Sequence, residues 1–429
     1  SMRTINYNEL SSEQINELLR RPSINYEKIF DTVKPIIDKV KNGGLVTAIE
    51  YAKKLDSFSG DSVLVKEGEF YSAEKNLSDE IKSALKDAYE NIKAFHLRGM
   101  PQSFKMETKP GIVCSREFRA IENVGLYIPG GNAILPSTVL MLGIPAQIAN
   151  CKRIVLSTPV KGGEINEAVL YAAKLCGINE IVKIGGAHAI ALMAYGDTNF
   201  RKVNKIFGPG NQFVTAAKML VSIDPSGCAI DMPAGPSELL IIADDSAEPS
   251  FIASDLLAQA EHGNDSQVIL ITSSVKFAAE VNKEIEKQLS DLQTKGTAEK
   301  SLENSFILLN DDITKALEFS NSFAPEHLIL NIKNPEMYTE LITNAGSVFL
   351  GQYSPESAGD YASGTNHSLP TSGYAAAFGG VSVDSFMKGV TFQQLSREGL
   401  KKIALTIETL AEAEGLFAHR NSVRIRFKK

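Results

Sequence analysis

The sequence is poor in the residues that stabilise exported or disulfide-bonded proteins. It has no tryptophan and only four cysteines, and no two cysteines have the C-x-x-C spacing of a redox pair or a zinc knuckle. We therefore expect reduced, mostly buried thiols at Cys114, Cys151, Cys176 and Cys228. Residues 1–22 contain no long apolar run, so the sequence does not predict a secretory signal peptide there.

An excess of basic residues is also missing. The 44 Lys and Arg residues against 51 Asp and Glu residues give a formal charge of −7, which argues against a nucleic-acid partner. The 43% hydrophobic and 22% charged residues are ordinary for a globular protein and exclude an intrinsically disordered chain. A length of 429 residues favours several domains.

One stretch without charged residues, 124–151, has to be compared with a membrane span. It contains several prolines and glycines, which would leave backbone groups of a membrane helix without partners. We interpret it as a buried loop and a short helix, and expect a cytoplasmic protein with no membrane association.

Short apolar segments alternate with helical patterns along most of the chain. Strand patterns at 153–156, 180–184 and 203–207 are each followed by a helical pattern, and a second run of the same kind covers 239–349. This alternation predicts parallel β-α units in two α/β domains, with a ligand cleft at their strand ends. We expect residues 1–100 to be mostly helical and see no internal sequence repeat.

The C-terminal part contains two further segments. Residues 354–380 are rich in Gly, Ser, Ala and Thr, which predicts a long functional loop. Residues 391–414 predict one amphipathic helix, on whose apolar stripe Glu414 would need a polar partner.

Two glycine turns lie between a predicted strand and a predicted helix, at Gly185-Gly186 and at 208–211. Backbone N–H groups at such a turn can hold a phosphate, although neither turn has the G-x-G-x-x-G pattern of a dinucleotide site. Taken alone, the two motifs are better explained as simple tight turns than as nucleotide sites.

Several polar side chains are candidates for chemistry. Gln259 and His262 lie one turn apart near the end of a predicted helix, and Glu326-His327 precedes an apolar strand pattern. Asp360 lies in the glycine-rich loop. A metal site is one interpretation, but a capping histidine and ordinary turn residues explain the same spacings.

Taken together, these signals resemble the histidinol dehydrogenase family. The matching strings follow the family's order from about residue 111 to the C-terminus, and together they are highly specific. They are Tyr127-Ile128-Pro129-Gly130-Gly131, Phe207-Gly208-Pro209-Gly210-Asn211, Pro233-Ala234-Gly235-Pro236-Ser237-Glu238, Gln259-Ala260-Glu261-His262, Ala324-Pro325-Glu326-His327, Gly359-Asp360, and Glu414-Gly415-Leu416 with His419.

The resemblance implies a zinc- and NAD-dependent homodimer of histidine biosynthesis, with one Zn²⁺ per subunit and an active site shared across the interface. It would oxidise L-histidinol to L-histidine through L-histidinal. The implied fold is α/β, with two Rossmann-like α/β domains forming a cleft and smaller helical terminal segments that exchange between subunits. The implied segments are 1–25 (N-terminal helical), 26–129 with 237–381 (metal and catalytic residues), 130–236 (cofactor binding) and 382–429 (C-terminal helical, reaching the partner).

The same resemblance implies the site residues. The zinc ligands would be Gln259, His262, Asp360 and the partner subunit's His419, and the catalytic pair would be Glu326 and His327. The substrate contacts would be Ser237, Gln259, His262, His327, Asp360, Glu414 and His419. The cofactor contacts would be Tyr127, His188 and Asn211, although the family commonly has Gln at position 188.

We hypothesise that His327 is the base for both oxidations, that Glu326 activates water, and that Glu414 pairs with the substrate ammonium. Three other functions stay open on the sequence alone: another alcohol or aldehyde dehydrogenase on a related scaffold, a zinc hydrolase, and a non-catalytic binding protein. No cysteine lies in an obvious nucleophile motif, which counts against thiol-based aldehyde oxidation.

Overall fold

The computed structural model describes residues 1–22, 24–130 and 135–428 of the chain. Gly131, the last residue of the first matching string, lies outside these ranges. The strands are β1 (Arg3–Asn6), β2 (Phe104–Lys109), β3 (Ile112–Ala120), β4 (Asn123–Tyr127), β5 (Arg153–Ser157), β6 (Glu180–Val182), β7 (Lys205–Phe207), β8 (Ala229–Ile230), β9 (Glu238–Ala243), β10 (Gln267–Thr272), β11 (Phe306–Leu309), β12 (His327–Asn331), β13 (Ser347–Leu350) and β14 (Met387–Leu395). The helices are α1 (Ser12–Leu18), α2 (Tyr26–Leu55), α3 (Glu67–Asn76), α4 (Asp79–Arg98), α5 (Pro136–Ala149), α6 (Glu167–Leu175), α7 (Gly186–Tyr195), α8 (Gln212–Ile223), α9 (Pro249–Ala260), α10 (Val275–Ser290), α11 (Lys295–Glu303), α12 (Ile313–Phe323), α13 (Glu356–Tyr361), α14 (Arg397–Ala413) and α15 (Phe417–Arg424).

Two parallel sheets organise the chain, which confirms the predicted α/β class. One has five strands in the order β6-β5-β4-β7-β8, and the other has six in the order β1-β11-β10-β9-β12-β13. Counted from β4 and from β9, both sheets place five successive strands in the order 3-2-1-4-5. The topology is therefore duplicated, although we saw no repeat in the sequence.

The N-terminal region divides differently from the implied segments. Helix α2 packs against α7 and α8, and Leu64 pairs with Val182 at the edge of the five-stranded sheet. Strand β1 instead joins the six-stranded sheet, where Arg3 pairs with Phe306. Residues 26–98 thus lie with 123–230 rather than with 237–381, because α2, α3 and α4 pack their apolar faces against the helices α7, α6 and α5 beside the five-stranded sheet. The first 25 residues are not purely helical, because they include β1.

A third, antiparallel sheet has the order β14-β3-β2. Here the expected single helix over 391–414 is wrong, because residues 387–395 form β14 and pair with β3 along their whole length. Ser396 then caps α14, and its Oγ accepts a 3.0 Å hydrogen bond from Gly399 N in the first turn. The 354–380 region, expected as a loop, also contains a short helix, α13.

The charge-free stretch from Val124 to Cys151 contains the expected helix and also strand residues that we did not predict. Its first residues complete β4, and Pro136 begins the buried helix α5. Across the described ranges, no helix combines the length and the apolar character needed to cross a membrane.

Candidate active site

The candidate site is a cavity of about 260 Å³ between the two parallel sheets. Pro129 and Gly208, which follow β4 and β7, line it from the carboxyl edge of the five-stranded sheet. Ser237 and His327 line it from the amino edge of the six-stranded sheet. Opposite strand ends therefore face each other, whereas ligands of open α/β sheets usually bind at carboxyl ends alone.

Glu326 and His327 both reach this cavity although they are adjacent in sequence. Helix α12 ends at Ala324 in a left-handed conformation (φ 52°), and Pro325 follows, so the chain turns before β12 begins. The His327 Nδ1 atom lies 3.0 Å from the Glu238 carbonyl oxygen, and a carbonyl can only accept. Nδ1 therefore carries the hydrogen, and in the neutral ring Nε2 is free to act as a base.

Burial and crowding of charge perturb this pair. Burial raises the pKa of Glu326 to about 8; the His327 charge opposes that shift and Glu238 adds to it. Burial alone would lower the pKa of His327, but Glu356, Glu326 and Asp360 outweigh it and hold that pKa well above its usual range. Both groups thus titrate away from their ordinary values, which is typical of catalytic residues.

Three ligand-type side chains converge at the cavity wall. One ligand atom each of His262, Glu356 and Asp360 lies within 4.8 Å of the other two. Both amide atoms of the neighbouring Gln259 are buried and have no hydrogen-bond partner among the described residues. Such an orphaned buried amide needs a partner, which a cation or a ligand would supply.

Glu356 is the member of this cluster that sequence reasoning missed. It lies one turn before Asp360 on α13, and its carboxylate is 3.6 Å from His327 Nδ1. Burial raises the pKa of Glu356 to about 8. Burial also acts to raise the pKa of Asp360, but the neighbouring His327 ring, 3.6 Å from Asp360 Oδ1, outweighs burial and lowers that pKa. The sequence signal that could have predicted a short helix here is the pair of acidic residues Glu356 and Asp360, spaced i and i+4 directly after Pro355.

His367, noted in the sequence only as a neighbour of Asp360, also lines the cavity. Its Nδ1 lies 3.0 Å from the Asp360 carbonyl oxygen, and its Nε2 lies 3.2 Å from Thr138 Oγ1. Burial lowers the pKa of His367, so this ring is a neutral hydrogen-bonding group.

Two predicted residues lie away from this cavity in the single chain. Glu414 and His419 are exposed at the end of α14 and on α15, and neither is among the residues that line the cavity. The expected burial of Glu414 on an apolar stripe is therefore wrong within one chain. Neither residue contributes to the site without a second copy of the chain.

A larger cleft of about 950 Å³ adjoins the cavity and shares Pro129 and Leu135 with it. Tyr127 and Asn211, two of the predicted cofactor contacts, line this cleft. Burial raises the pKa of Tyr127 to about 12, and its hydroxyl accepts a 3.0 Å hydrogen bond from Gly186 N. Volume and position suit an extended ligand whose reactive end lies in the cavity.

His188, the third predicted cofactor contact, is placed differently. Its ring is buried and is not among the residues that line the cleft. The Nε2 atom lies 2.9 Å from Asp56 Oδ2, which also accepts a 3.3 Å bond from Gly185 N. Within this chain, His188 therefore supports the Gly185-Gly186 turn from behind rather than facing the cleft.

The cysteines are remote from this chemistry. All four lie in the described ranges, and none lines the cavity. Burial raises the pKa values of Cys151 and Cys228 to about 12, which leaves their thiols protonated and unreactive. A thiol-based aldehyde oxidation at this cavity is excluded by that placement.

Comparison with known proteins decides the family. The family model for histidinol dehydrogenase matches residues 19–427. The chain belongs to the histidinol dehydrogenase family. It is therefore an oxidoreductase that acts on histidinol in histidine biosynthesis, which removes the hydrolase and the non-catalytic alternatives.

Full-length relatives agree with this assignment. The chain is 50% identical to a histidinol dehydrogenase of Vibrio parahaemolyticus over 429 residues, which is 100% of this chain and 99% of the relative. It is 52% identical to one from Bacteroides thetaiotaomicron over 417 residues, 97% of each. The crystal structure of histidinol dehydrogenase from Elizabethkingia anophelis superposes with a TM-score of 0.95 at 48% identity, covering 99% of this chain and 98% of that one.

Proposed function

We propose that the protein oxidises L-histidinol to L-histidine through L-histidinal by two successive hydride transfers to NAD⁺, with a Zn²⁺ ion positioning the substrate. The observation that carries the proposal is the convergence of His262, Glu356, Asp360 and the orphaned Gln259 amide beside His327. The cavity that holds them opens toward the cleft lined by Tyr127 and Asn211.

The donor set fits a zinc ion. Imidazole nitrogen and carboxylate oxygen are common zinc ligands, and Gln259 offers an amide oxygen with no other partner. Gln259, His262 and Asp360 would hold the ion, with the partner subunit's His419 completing the set and Glu356 close by. When bound, the ion supplies a Lewis-acid template that fixes the substrate nitrogens and hence the alcohol carbon.

His327 would remove the hydroxyl proton in each oxidation. Its Nε2 faces the cavity and lies 3.6 Å from Asp360 Oδ1, while its Nδ1 is fixed by the Glu238 carbonyl. A cation held by the neighbouring carboxylates would offset the charges that raise the pKa of His327, so that the ring is neutral at working pH. Base catalysis of this kind contributes about 10²–10⁴-fold.

Glu326 would activate the water that converts the aldehyde to its hydrate. The hydrate then loses a hydride to the second NAD⁺ and a proton to His327, which leaves the carboxylic acid of histidine, and that acid releases its own proton to water to give the carboxylate. Overall, histidinol, water and two NAD⁺ give histidine, two NADH and three protons. The pKa of Glu326, raised to about 8 by burial, makes its ionised form a stronger base than an ordinary carboxylate.

A homodimer with shared sites is part of the proposal. The antiparallel sheet and the C-terminal helices carry exposed apolar side chains, which suit burial against a second subunit. They are Phe104, Met106, Val390, Phe392, Leu405 and Leu410. In such a dimer, Glu414 of the partner subunit would pair with the substrate ammonium, and Ser237 would contact the substrate from its own subunit.

The test is to follow NADH absorbance with purified full-length protein and limiting L-histidinol. We expect two NADH per histidinol, loss of turnover after treatment with a chelator, and recovery on addition of Zn²⁺. One NADH per histidinol would contradict the second oxidation, because only the alcohol would then be oxidised. Turnover that survives metal removal would contradict the zinc site.

Replacing Glu326 by Gln separates the two oxidations. We expect Glu326→Gln to lower the rate of L-histidinal oxidation by about 10²-fold or more, because Gln cannot accept the proton of water. The first hydride transfer should persist and appear as a burst of one NADH per site in stopped-flow absorbance. A variant that keeps histidinal oxidation but loses histidinol oxidation would overturn this division of roles.

A further inference from the structure

An arginine from the N-terminal segment lies directly behind the catalytic pair. Arg21 Nε and Nη2 donate to the two carboxylate oxygens of Glu238 at 3.1 and 2.9 Å. Arg21 Nη2 also lies 3.3 Å from the Ala324 carbonyl oxygen, and the guanidinium stacks 3.5 Å above the Phe323 ring. The Glu238 side chain is 3% exposed and that of Arg21 is 18% exposed, so this two-bond ion pair is well shielded from water.

Glu238 in turn holds both catalytic residues. Its backbone N–H donates to Glu326 Oε2 at 2.9 Å, and its carboxylate Oε1 accepts from Glu326 N at 3.2 Å. Its carbonyl oxygen accepts from His327 Nδ1 at 3.0 Å. The Glu238 carboxylate therefore bonds Arg21 on one side and the backbone N–H of Glu326 on the other.

The arrangement places two buried carboxylates close together, Glu238 at the start of β9 and Glu326 just before β12. Like charges in a shielded site repel strongly, and a buried carboxylate without a counter-ion is costly. The cavity already contains the further acids Glu356 and Asp360. Arg21 is the cation bonded to Glu238 from the side away from the cavity, and it offsets that crowding.

We propose that Arg21 is a positioning residue that fixes the Glu238 carboxylate and thereby keeps the Glu326 carboxylate aimed at the water of the second oxidation. This inference rests on the proposed role of Glu326. It gives the N-terminal segment an indirect part in the chemistry, through Glu238. His327 is held by a backbone carbonyl within the sheet, so the first oxidation depends less on Arg21.

The test compares Arg21→Gln, Arg21→Lys and Glu326→Gln in the zinc-loaded full-length enzyme, with Arg20→Gln as the matched control. Arg20 is the adjacent exposed arginine and bonds to neither carboxylate. The measurements are kcat and KM for L-histidinal, the burst of NADH from L-histidinol, and KM for NAD⁺.

For Arg21→Gln we expect kcat for histidinal to fall about tenfold or more, with the first-turnover burst retained and KM for NAD⁺ changed less than about twofold. Arg21→Lys should recover part of the rate, because it restores the charge without the two-pronged geometry. Arg20→Gln should match the unmodified enzyme.

A double-variant cycle with Glu238→Gln provides a second readout. If the ion pair acts as a unit, the two losses will not add, and Arg21→Gln with Glu238→Gln will be faster than additivity predicts, because the uncompensated charge is gone. If Arg21→Gln does not fold, Arg21→Lys against Arg20→Gln decides the question, with a loss of histidinal kcat expected in the first and not in the second.

Two results would overturn the inference: an Arg21→Gln variant indistinguishable from Arg20→Gln, or equal losses in the burst, the histidinal rate and NAD⁺ affinity. Failure of the proposed function looks different. In that case Glu326→Gln itself retains histidinal oxidation, whatever the Arg21 variants do.

Discussion

At the scale of single residues, the sequence supplied most of the chemistry but little of its arrangement. Gln259, His262, Glu326, His327 and Asp360 all line one cavity, as the resemblance implied. The spacing of each residue pair was also compatible with helix caps and turns, so only the full set of family motifs identified these residues as site residues. The roles of these residues stay proposals. Glu356 was identified only from the structure, which places it beside His262 and Asp360.

His188 gives a residue-scale prediction. We expect His188→Gln to change KM for NAD⁺ by less than about threefold, because the ring bonds Asp56 and lies behind the cleft wall. Steady-state kinetics at saturating histidinol measures this, with Asn211→Ala as the comparison because Asn211 lines the cleft. A tenfold increase in KM for the His188 variant would show that the side chain does contact the cofactor.

At the scale of secondary-structure elements, contacts between elements distant in sequence determine some structures that the local sequence pattern does not predict. The amphipathic spacing of residues 391–414 indicated one helix, yet its first part is a strand because β3 offers a complete row of pairing partners. Residues 1–100 are mostly helical, as predicted, but the sequence of α2 to α4 does not say which sheet these helices pack beside. Such pairings join residues far apart in sequence, which no local window contains.

Helix α4 carries a pH-dependent contact that tests this packing. His96 is buried; its Nδ1 lies 2.7 Å from the Ile92 carbonyl oxygen, and Asn366 Nδ2 approaches its Nε2 at 3.3 Å. Burial lowers the pKa of His96, so the unfolded chain binds the proton more readily. The free energy of unfolding should therefore be fully retained above about pH 6.5 and fall as the pH decreases below that value.

The measurement is urea unfolding of the metal-free protein at pH 7.5 and at pH 5.5. His96→Gln, which cannot titrate, should show a smaller loss of stability between the two pH values than the unmodified chain. Equal losses in both proteins would mean that His96 is not a source of the acid sensitivity.

At the scale of the whole molecule, two sheets of equal strand order face each other with opposite edges. The carboxyl edge of the five-stranded sheet presents Pro129 and Gly208, and the amino edge of the six-stranded sheet presents Ser237, Glu326 and His327. Glu414 and His419 lie on the exposed C-terminal helices, away from the cavity of their own chain. A complete site with these residues therefore requires a second subunit.

Subunit complementation tests that requirement. We expect Glu326→Gln and His419→Asn each to be inactive in overall turnover, and a mixture refolded together to regain about a quarter of normal activity. Half of the dimers would be mixed, and each would hold one intact site built from both chains. Mixing without dissociation is the control, and a mixture that stays inactive while native mass spectrometry shows mixed dimers would contradict a shared site.

The sequence by itself determined the α/β class, the family strings and the types of side chain available for chemistry, because these depend on local pattern and residue identity. The tertiary structure alone decided which sheet each N-terminal element covers and that opposite strand edges meet. It also brought Glu356 to His262 and Asp360, and Arg21 to Glu238 beside the catalytic pair. The physical reason is that these contacts come from packing of apolar faces and pairing of buried charges between residues far apart in the chain. A local stretch of sequence does not contain both partners of such a contact.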